Sequence, residues 1–308
     1  MTDGSRRAIV AAFLANLGIA VAKLVAFFFT GAASMLAESV HSLADTGNQA
    51  LLLLGSSRAH REPTAEHPFG FGRERYFWAF VVALVLFSLG SLFAIVEGVE
   101  KLFHPHELSS VGWALGVLAI AIGLESYSLR TALHEAGEVR GRDGWWQFIR
   151  RTKMPELPVV LLEDVGALLG LLFAAAGIGL ALVTGDPRWD ALGSIAIGLL
   201  LGVIAIILAI EMKSLLIGEA AAPEMVETIR AALAAGEGVT HVIHLRTVHI
   251  GPDDLLVAAK LGFEPDMPLR KVADVTDAVE AAIRAQIPVA RLILIEPDVY
   301  RPERATAR

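Results

Sequence analysis

Six stretches of nearly unbroken apolar character dominate the first two thirds of the chain, at residues 8–29, 33–54, 76–96, 111–129, 157–183 and 191–210. A helix needs roughly 20 predominantly apolar residues to cross a hydrocarbon core about 30 Å thick. Each stretch is therefore expected to be a transmembrane helix. The first is longer than the about 7–15 apolar residues of a signal-peptide core, and a second hydrophobic segment follows closely, so it is expected to remain as a mature span. Beyond Gly218 the pattern becomes mixed, periodic and charged. Residues 222–235 predict a helix opened by Pro223 and Glu224. Residues 239–250 and 254–263 predict strands parted by Gly251, Pro252 and Asp253, while 269–286 predict an amphipathic helix and 291–296 a last strand. An αββαβ order describes helices covering one side of a small three-stranded sheet. Such a sheet is marginal alone and gains by pairing with a second copy. The expected fold is a multi-pass α-helical membrane protein with six transmembrane helices at 1–217 and an α+β cytoplasmic dimerisation domain at 218–308. One long non-membrane interruption, 133–156, joins the fourth and fifth spans.

Charge sets the expected orientation. With a cytoplasmic N-terminus, the inner segments carry twelve basic residues: Arg6, Arg7, Arg58, Arg61, Arg73, Arg75, Arg130, Arg140, Arg142, Arg150, Arg151 and Lys153. The outer loops carry two, Lys101 and Arg188. The positive-inside rule then places both termini in the cytoplasm, with Trp145 and Trp146 suited to an inner interfacial belt.

Composition narrows the chemistry further. Apolar residues make up 55% and charged residues 19% of the 308, against about 25% charged in a soluble globular protein. Hydrophobicity this high excludes disorder. The absence of cysteine excludes disulfides, iron–sulfur clusters, thiolate zinc fingers and a cysteine nucleophile. A net charge of −7 argues against a nucleic-acid partner.

A charged side chain at mid-membrane costs about 2.5–3.5 kcal/mol on insertion scales, so each one is a functional candidate. In the second span Glu38, His41, Asp45 and Asn48 fall at i, i+3, i+7 and i+10, on one helical face. His41 and Asp45 offer an imidazole nitrogen and a carboxylate oxygen from successive turns, half of a tetrahedral zinc-type site; the blander alternative is a structural interhelical hydrogen bond. The fifth span supplies Glu163 and Asp164. Adjacent residues point about 100° apart on a helix, so one of the two at most is expected to aim at a given neighbour. A wet position near the helix end is the competing account. Lys23 in the first span is placed to snorkel or to neutralise a carboxylate. Asn16 and Glu125 suit helix–helix hydrogen bonds or support behind the ligands. Asp190 is expected at the interface, opening the sixth span. Gly31 to Ser34 read as a tight turn, and Gly166, Gly170 and Gly177 as points of close helix approach.

The run Ser34-Met35-Leu36-Ala37-Glu38-Ser39-Val40-His41-Ser42-Leu43-Ala44-Asp45, followed by His67-Pro68-Phe69-Gly70-Phe71-Gly72-Arg73-Glu74-Arg75, resembles the cation diffusion facilitator family of divalent-metal transporters. Leu161-Leu162-Glu163-Asp164 and Asp190-Ala191-Leu192-Gly193-Ser194 look most like the branch of mitochondrial zinc transporters and their bacterial relatives. The resemblance covers nearly the whole chain and implies a ferredoxin-like tail. It implies that His41 and Asp45 are transport-site ligands, and that Asp164 is the aspartate of the fifth-span pair. Val160 occupies the other half of that pair and cannot bind a metal, so Glu163, Glu38 or water would complete the site. In the loop after the second span, a regulatory zinc site resembling the family's would keep only His67, because Phe71 stands where a second histidine is expected. Tail positions matching a histidine-rich dimer site hold Ile243, Lys260, Leu294 and Glu296, and the nearby His241, His244 and His249 read as surface strand residues, so no zinc-bridged tail is expected.

The functional expectation is a homodimeric, proton-coupled antiporter that exports Zn²⁺ by alternating access, in a bacterial plasma (inner) membrane. Metal binding requires neutral His and ionised carboxylates and so releases protons. His41 is the natural group to take one up as metal leaves. Mn²⁺, Co²⁺ and Fe²⁺ tolerate related ligand sets, but a His tilts the odds to zinc. Two rivals stand beside it: a transport-inactive metal-binding membrane scaffold, which Val160 favours, and a membrane metalloenzyme, which the absence of an HExxH helix disfavours.

Overall fold

The computed structural model describes the backbone of residues 3–105 and 111–302, and within these the side chains of 17–84, 88–105 and 111–302. The side chains of Arg6, Arg7 and Asn16, named above, lie outside the described residues. The helices are α1 (Asp3–Thr30), α2 (Ala33–Ala59), α3 (Glu74–Val81), α4 (Ser88–Phe103), α5 (Val111–Arg140), α6 (Trp145–Arg151), α7 (Glu156–Thr184) and α8 (Arg188–Ile217). A tail follows with α9 (Pro223–Ala234), β1 (Val239–Gly251), β2 (Asp254–Phe263), α10 (Leu269–Gln286) and β3 (Leu292–Asp298). The chain forms two compact units: Met1–Ser57 with Phe77–Lys213, and Arg58–Tyr76 with Ser214–Arg308.

In the first unit the six predicted spans become six long helical segments. The third is not one continuous α-helix: α3 passes through a π-helical stretch, Val82–Phe87, into α4. Among the described residues, Glu74–Phe103, Val111–Arg140, Glu156–Thr184 and Arg188–Ile217 are long and apolar enough to cross a membrane unaided, and α1 adds the apolar stretch Leu17–Thr30. The remaining segment, α2, is the one that carries Glu38, His41, Asp45 and Asn48. The fourth span runs longer than its apolar core, through His134 and Glu138 paired one turn apart, to Arg140. The interruption after it contains α6, where the Arg140 guanidinium lies 4.3 Å from the Trp145 ring.

Small residues let these helices meet backbone to backbone. A Cβ on Gly198 of α8 would stand 2.8 Å from the Ser91 carbonyl of α4, and one on Gly177 of α7 would stand 2.9 Å from the Trp189 carbonyl of α8. Ser91 Oγ donates to the Gly198 carbonyl at 2.7 Å and Ser194 Oγ to the Ala94 carbonyl at 2.8 Å, sealing α4 against α8. In lipid such contacts replace the hydrophobic drive between helices. Gly31 turns the chain from α1 to α2 at φ +66°, a conformation that favours glycine.

Asp190 lies in the first turn of α8, as the sequence predicts. It is 1% exposed. Its carboxylate accepts from the Ala33 amide at 2.6 Å and the Ser34 amide at 3.2 Å, and also from the Ser34 hydroxyl. It therefore caps α2, whose first amides lack intrahelical acceptors, rather than its own helix.

In the second unit β1 pairs antiparallel with β2, and β2 pairs parallel with β3, in the order β1-β2-β3. Leu255, Val257, Ala259, Leu261 and Ile293 point to one face and bury against Ile229 and Leu233 of α9 and Val275, Val279 and Ile283 of α10. The alternate residues Leu256, Ala258 and Lys260 stay partly exposed, which is the period-2 signature of a sheet covered on one side.

Replacing Gly198 by Leu should force α4 from α8 and cost about 1–3 kcal/mol, seen as a lowered melting temperature of the detergent-solubilised full chain. Gly179→Leu is the control, since a Cβ there meets nothing within 4 Å. Equal melting temperatures for the two variants would refute the packing account.

Candidate metal site

The polar face of α2 is buried to its core: Glu38 and Asn48 are fully enclosed, His41 is 2% exposed and Asp45 6%. Each group finds a different environment. Lys23 of α1, also fully buried, donates to Glu38 Oε2 at 2.9 Å and to Ser42 Oγ at 2.7 Å. Of the roles open to Lys23, the structure selects neutralisation of a carboxylate. Glu38 is thus engaged by an ammonium, and its other oxygen abuts Gly170 of α7. His41 Nδ1 lies 3.5 Å from Asp45 Oδ1, one helical turn on.

Neither Glu163 nor Asp164 of α7 is wet; they are 4% and 8% exposed. Asp164 Oδ2 accepts from Ser128 Oγ of α5 at 3.1 Å. Glu163 Oε2 makes no hydrogen bond among the described residues. Ile19, Ser42, Asp45, Glu125, Ser128, Glu163 and Asp164 together line a cavity of about 20 Å³, room for about one water or ion. Both carboxylates of α7 border it, although two adjacent residues were not both expected to aim at one place. The cavity walls come from α1, α2, α5 and α7. His41 is not on the lining. Among the described residues, no three His, Asp or Glu side chains converge closely enough to hold a metal ion.

Asp45, Glu125, Glu163 and Asp164 border the cavity and Glu38 lies behind it, with Lys23 the cation bonded within this group. Carboxylates crowded in a low-dielectric interior require compensating positive charge or protonation. Glu125 was legible as an intramembrane carboxylate, but its place on this wall depends on the packing of α5 along α7.

In the second unit the other candidates stand apart. His67 is exposed, its ring 4.7 Å from that of Phe71, and its amide bonds Thr64. Lys260 bridges Glu296 at 2.9 Å and Asp298 at 2.8 Å. Asp298 and then Glu296 hold its ammonium above the ordinary lysine value, while Lys260 holds Asp298 below the usual carboxylate range. An ion pair thus occupies that stretch of the sheet's open face. His241 stacks on Tyr300 with ring centroids 3.7 Å apart. His249 corrects the expectation of surface histidines: it is 3% exposed, its amide bonded to the Glu219 carbonyl, because the end of β1 is covered by the segment that leads into α9.

Known proteins share sequence with both parts of the chain. Residues 9–217 match the cation efflux transmembrane domain, and residues 221–300 match the cytoplasmic domain of cation efflux proteins. The chain is 34% identical to the mitochondrial proton-coupled zinc antiporter SLC30A9 of Xenopus laevis, over 79% of this chain and 44% of that protein. It thus spans under half the length of that relative. It is 28% identical to the cation-efflux pump FieF of Klebsiella pneumoniae, over 94% of this chain and 91% of the pump. A solved MamM-CTD is 26% identical, covering 25% of this chain and 93% of that one with a TM-score of 0.24. With the transmembrane profile matched over residues 9–217, two thirds of the chain, this protein belongs to the cation efflux, or cation diffusion facilitator, family of membrane transporters, a family of carriers rather than enzymes.

Proposed function

We propose that this chain exports a divalent cation, zinc foremost, from the cytoplasm in exchange for protons. The supporting observation is the ion-sized cavity bordered by Asp45, Glu163 and Asp164 at the junction of α2, α5 and α7. His41 stands one turn from Asp45 and joins the ligand set when α2 turns toward α7; Asp45, Asp164 and Glu163 are the oxygen donors. Donors that border a common void without yet closing on it suit a carrier, which must release its cargo to each side in turn. Zinc accepts this nitrogen and oxygen set, and Mn²⁺, Co²⁺ and Fe²⁺ are the competing cargoes. Because metal binding displaces protons from carboxylates and imidazole, a proton gradient drives the exchange. The name of the Xenopus laevis relative, a proton-coupled zinc antiporter, supports the same reading. The functional unit is a homodimer joined through the tail, in the inner membrane of a bacterium, with both termini in the cytoplasm.

Proteoliposomes with an acidic interior should accumulate Zn²⁺ through the full chain and stop when the pH gradient is collapsed. Asp45→Asn and Asp164→Asn should each cut the initial rate at least about tenfold, by analogy with the loss when metal-site groups are removed. Unaltered flux in both variants would overturn the site. Amine-reactive cross-linking in native membranes should trap a dimer of the full chain; only monomers would count against the assembly.

A further inference from the structure

We infer that Glu125 of α5 is a direct ligand of the transported cation, supplying the donor that Val160 of α7 cannot. This rests on the reading of the cavity as the transport site. The four helices around that cavity contribute unequally. From α1 comes Ile19, and from α2 come Ser42 and Asp45. From α7 come Glu163 and Asp164, and from α5 Ser128 and Glu125. Lys23 holds Glu38, so that carboxylate is committed elsewhere. Val160, one turn before Asp164, has no donor atom to offer.

Glu125 is held on the cavity wall by its own helix. It lies three residues before Ser128, so both share one face of α5. The 3.1 Å bond from Ser128 to Asp164 fixes that face against α7. A separate observation points to a ligand: Glu163, 96% buried by its 4% exposure, borders the cavity with Oε2 accepting no hydrogen bond among the described residues. A buried carboxylate oxygen left in that state costs free energy, which a cation in the space beside it relieves as a proton would. With Glu125 included, the oxygen donors are Asp45, Glu125, Glu163 and Asp164, drawn from three helices, and His41 is the one nitrogen donor. Such a set is richer in oxygen than a His₂Asp₂ site and takes harder divalent ions more readily. Glu125 thus sets selectivity as well as affinity.

Titration calorimetry of Zn²⁺ and Mn²⁺ into the detergent-solubilised full chain tests this. Glu125→Gln keeps the size and removes the charge. It should weaken both metals at least about tenfold, with the larger loss for Mn²⁺, which prefers oxygen. Glu125→Asp should recover most of the affinity. The metal-free melting temperature of Glu125→Gln should match that of the wild type, a result that a merely structural role would not give. Glu125→Ser is measured in parallel, so that a folding failure of one variant leaves the other to decide. Wild-type binding by the Glu125→Gln and Glu125→Ser variants, alongside lost binding in Asp45→Asn and Asp164→Asn, would overturn the role of Glu125 and leave the transport site standing. Wild-type binding by the two aspartate variants would instead remove the transport site itself.

Discussion

A helix that carries Glu38, His41, Asp45 and Asn48 across a membrane persists only if its neighbours answer those groups, because lipid offers no water to do so. The rest of the first unit is arranged around that demand. From α1, Lys23 reaches Glu38 and Ser42. From α8, Asp190 takes the amides of Ala33 and Ser34. On the side facing α7 and α5 the demand is not met by an opposite charge; there Asp45 meets three more carboxyl groups around a small void. The same principle that makes α2 stable at one end makes it receptive at the other. Glu38 has the Lys23 ammonium beside it, whereas Asp45 borders a small void among carboxyl groups.

Around α8 the helices approach backbone to backbone. Ser91 and Ser194 bridge α4 and α8 through backbone carbonyls, and Gly198 allows the two helices to touch. Beside the cavity α5 runs along α7, and Ser128 of α5 donates to Asp164 of α7 within that contact.

Much of this was legible along the chain, and what escaped had a common cause. The six spans, the αββαβ tail and the single polar face of α2 follow from periodicities that act within one element. The burial of Glu163 and Asp164 also follows from an apolar setting on either side. Contacts between elements far apart in sequence were less accessible. Asp190 looked like a residue at the start of its own helix, and nothing local shows that it serves a helix about 157 residues earlier. Glu125 looked like one intramembrane carboxylate among several until α5 lay against α7. His249 alternates like a surface residue, yet the segment at Glu219 covers it. The π-helical stretch in the third span left no mark in hydropathy, which measures how apolar a turn is and not how it is wound.

The carboxylate of Asp190 has a mechanical meaning beyond its hydrogen bonds. It grips α2 at Ala33 and Ser34, so that end of the helix is a fulcrum against α8. Asp45 sits twelve residues further along, about 18 Å at 1.5 Å per residue. A swing of about 10° about the fulcrum would carry Asp45 roughly 3 Å, by the same lever length, which is more than the length of a metal–oxygen bond. A small tilt at a fixed point is thus enough to move Asp45 toward or away from the carboxyl groups of α7, and one acidic side chain on the sixth span decides where that point lies.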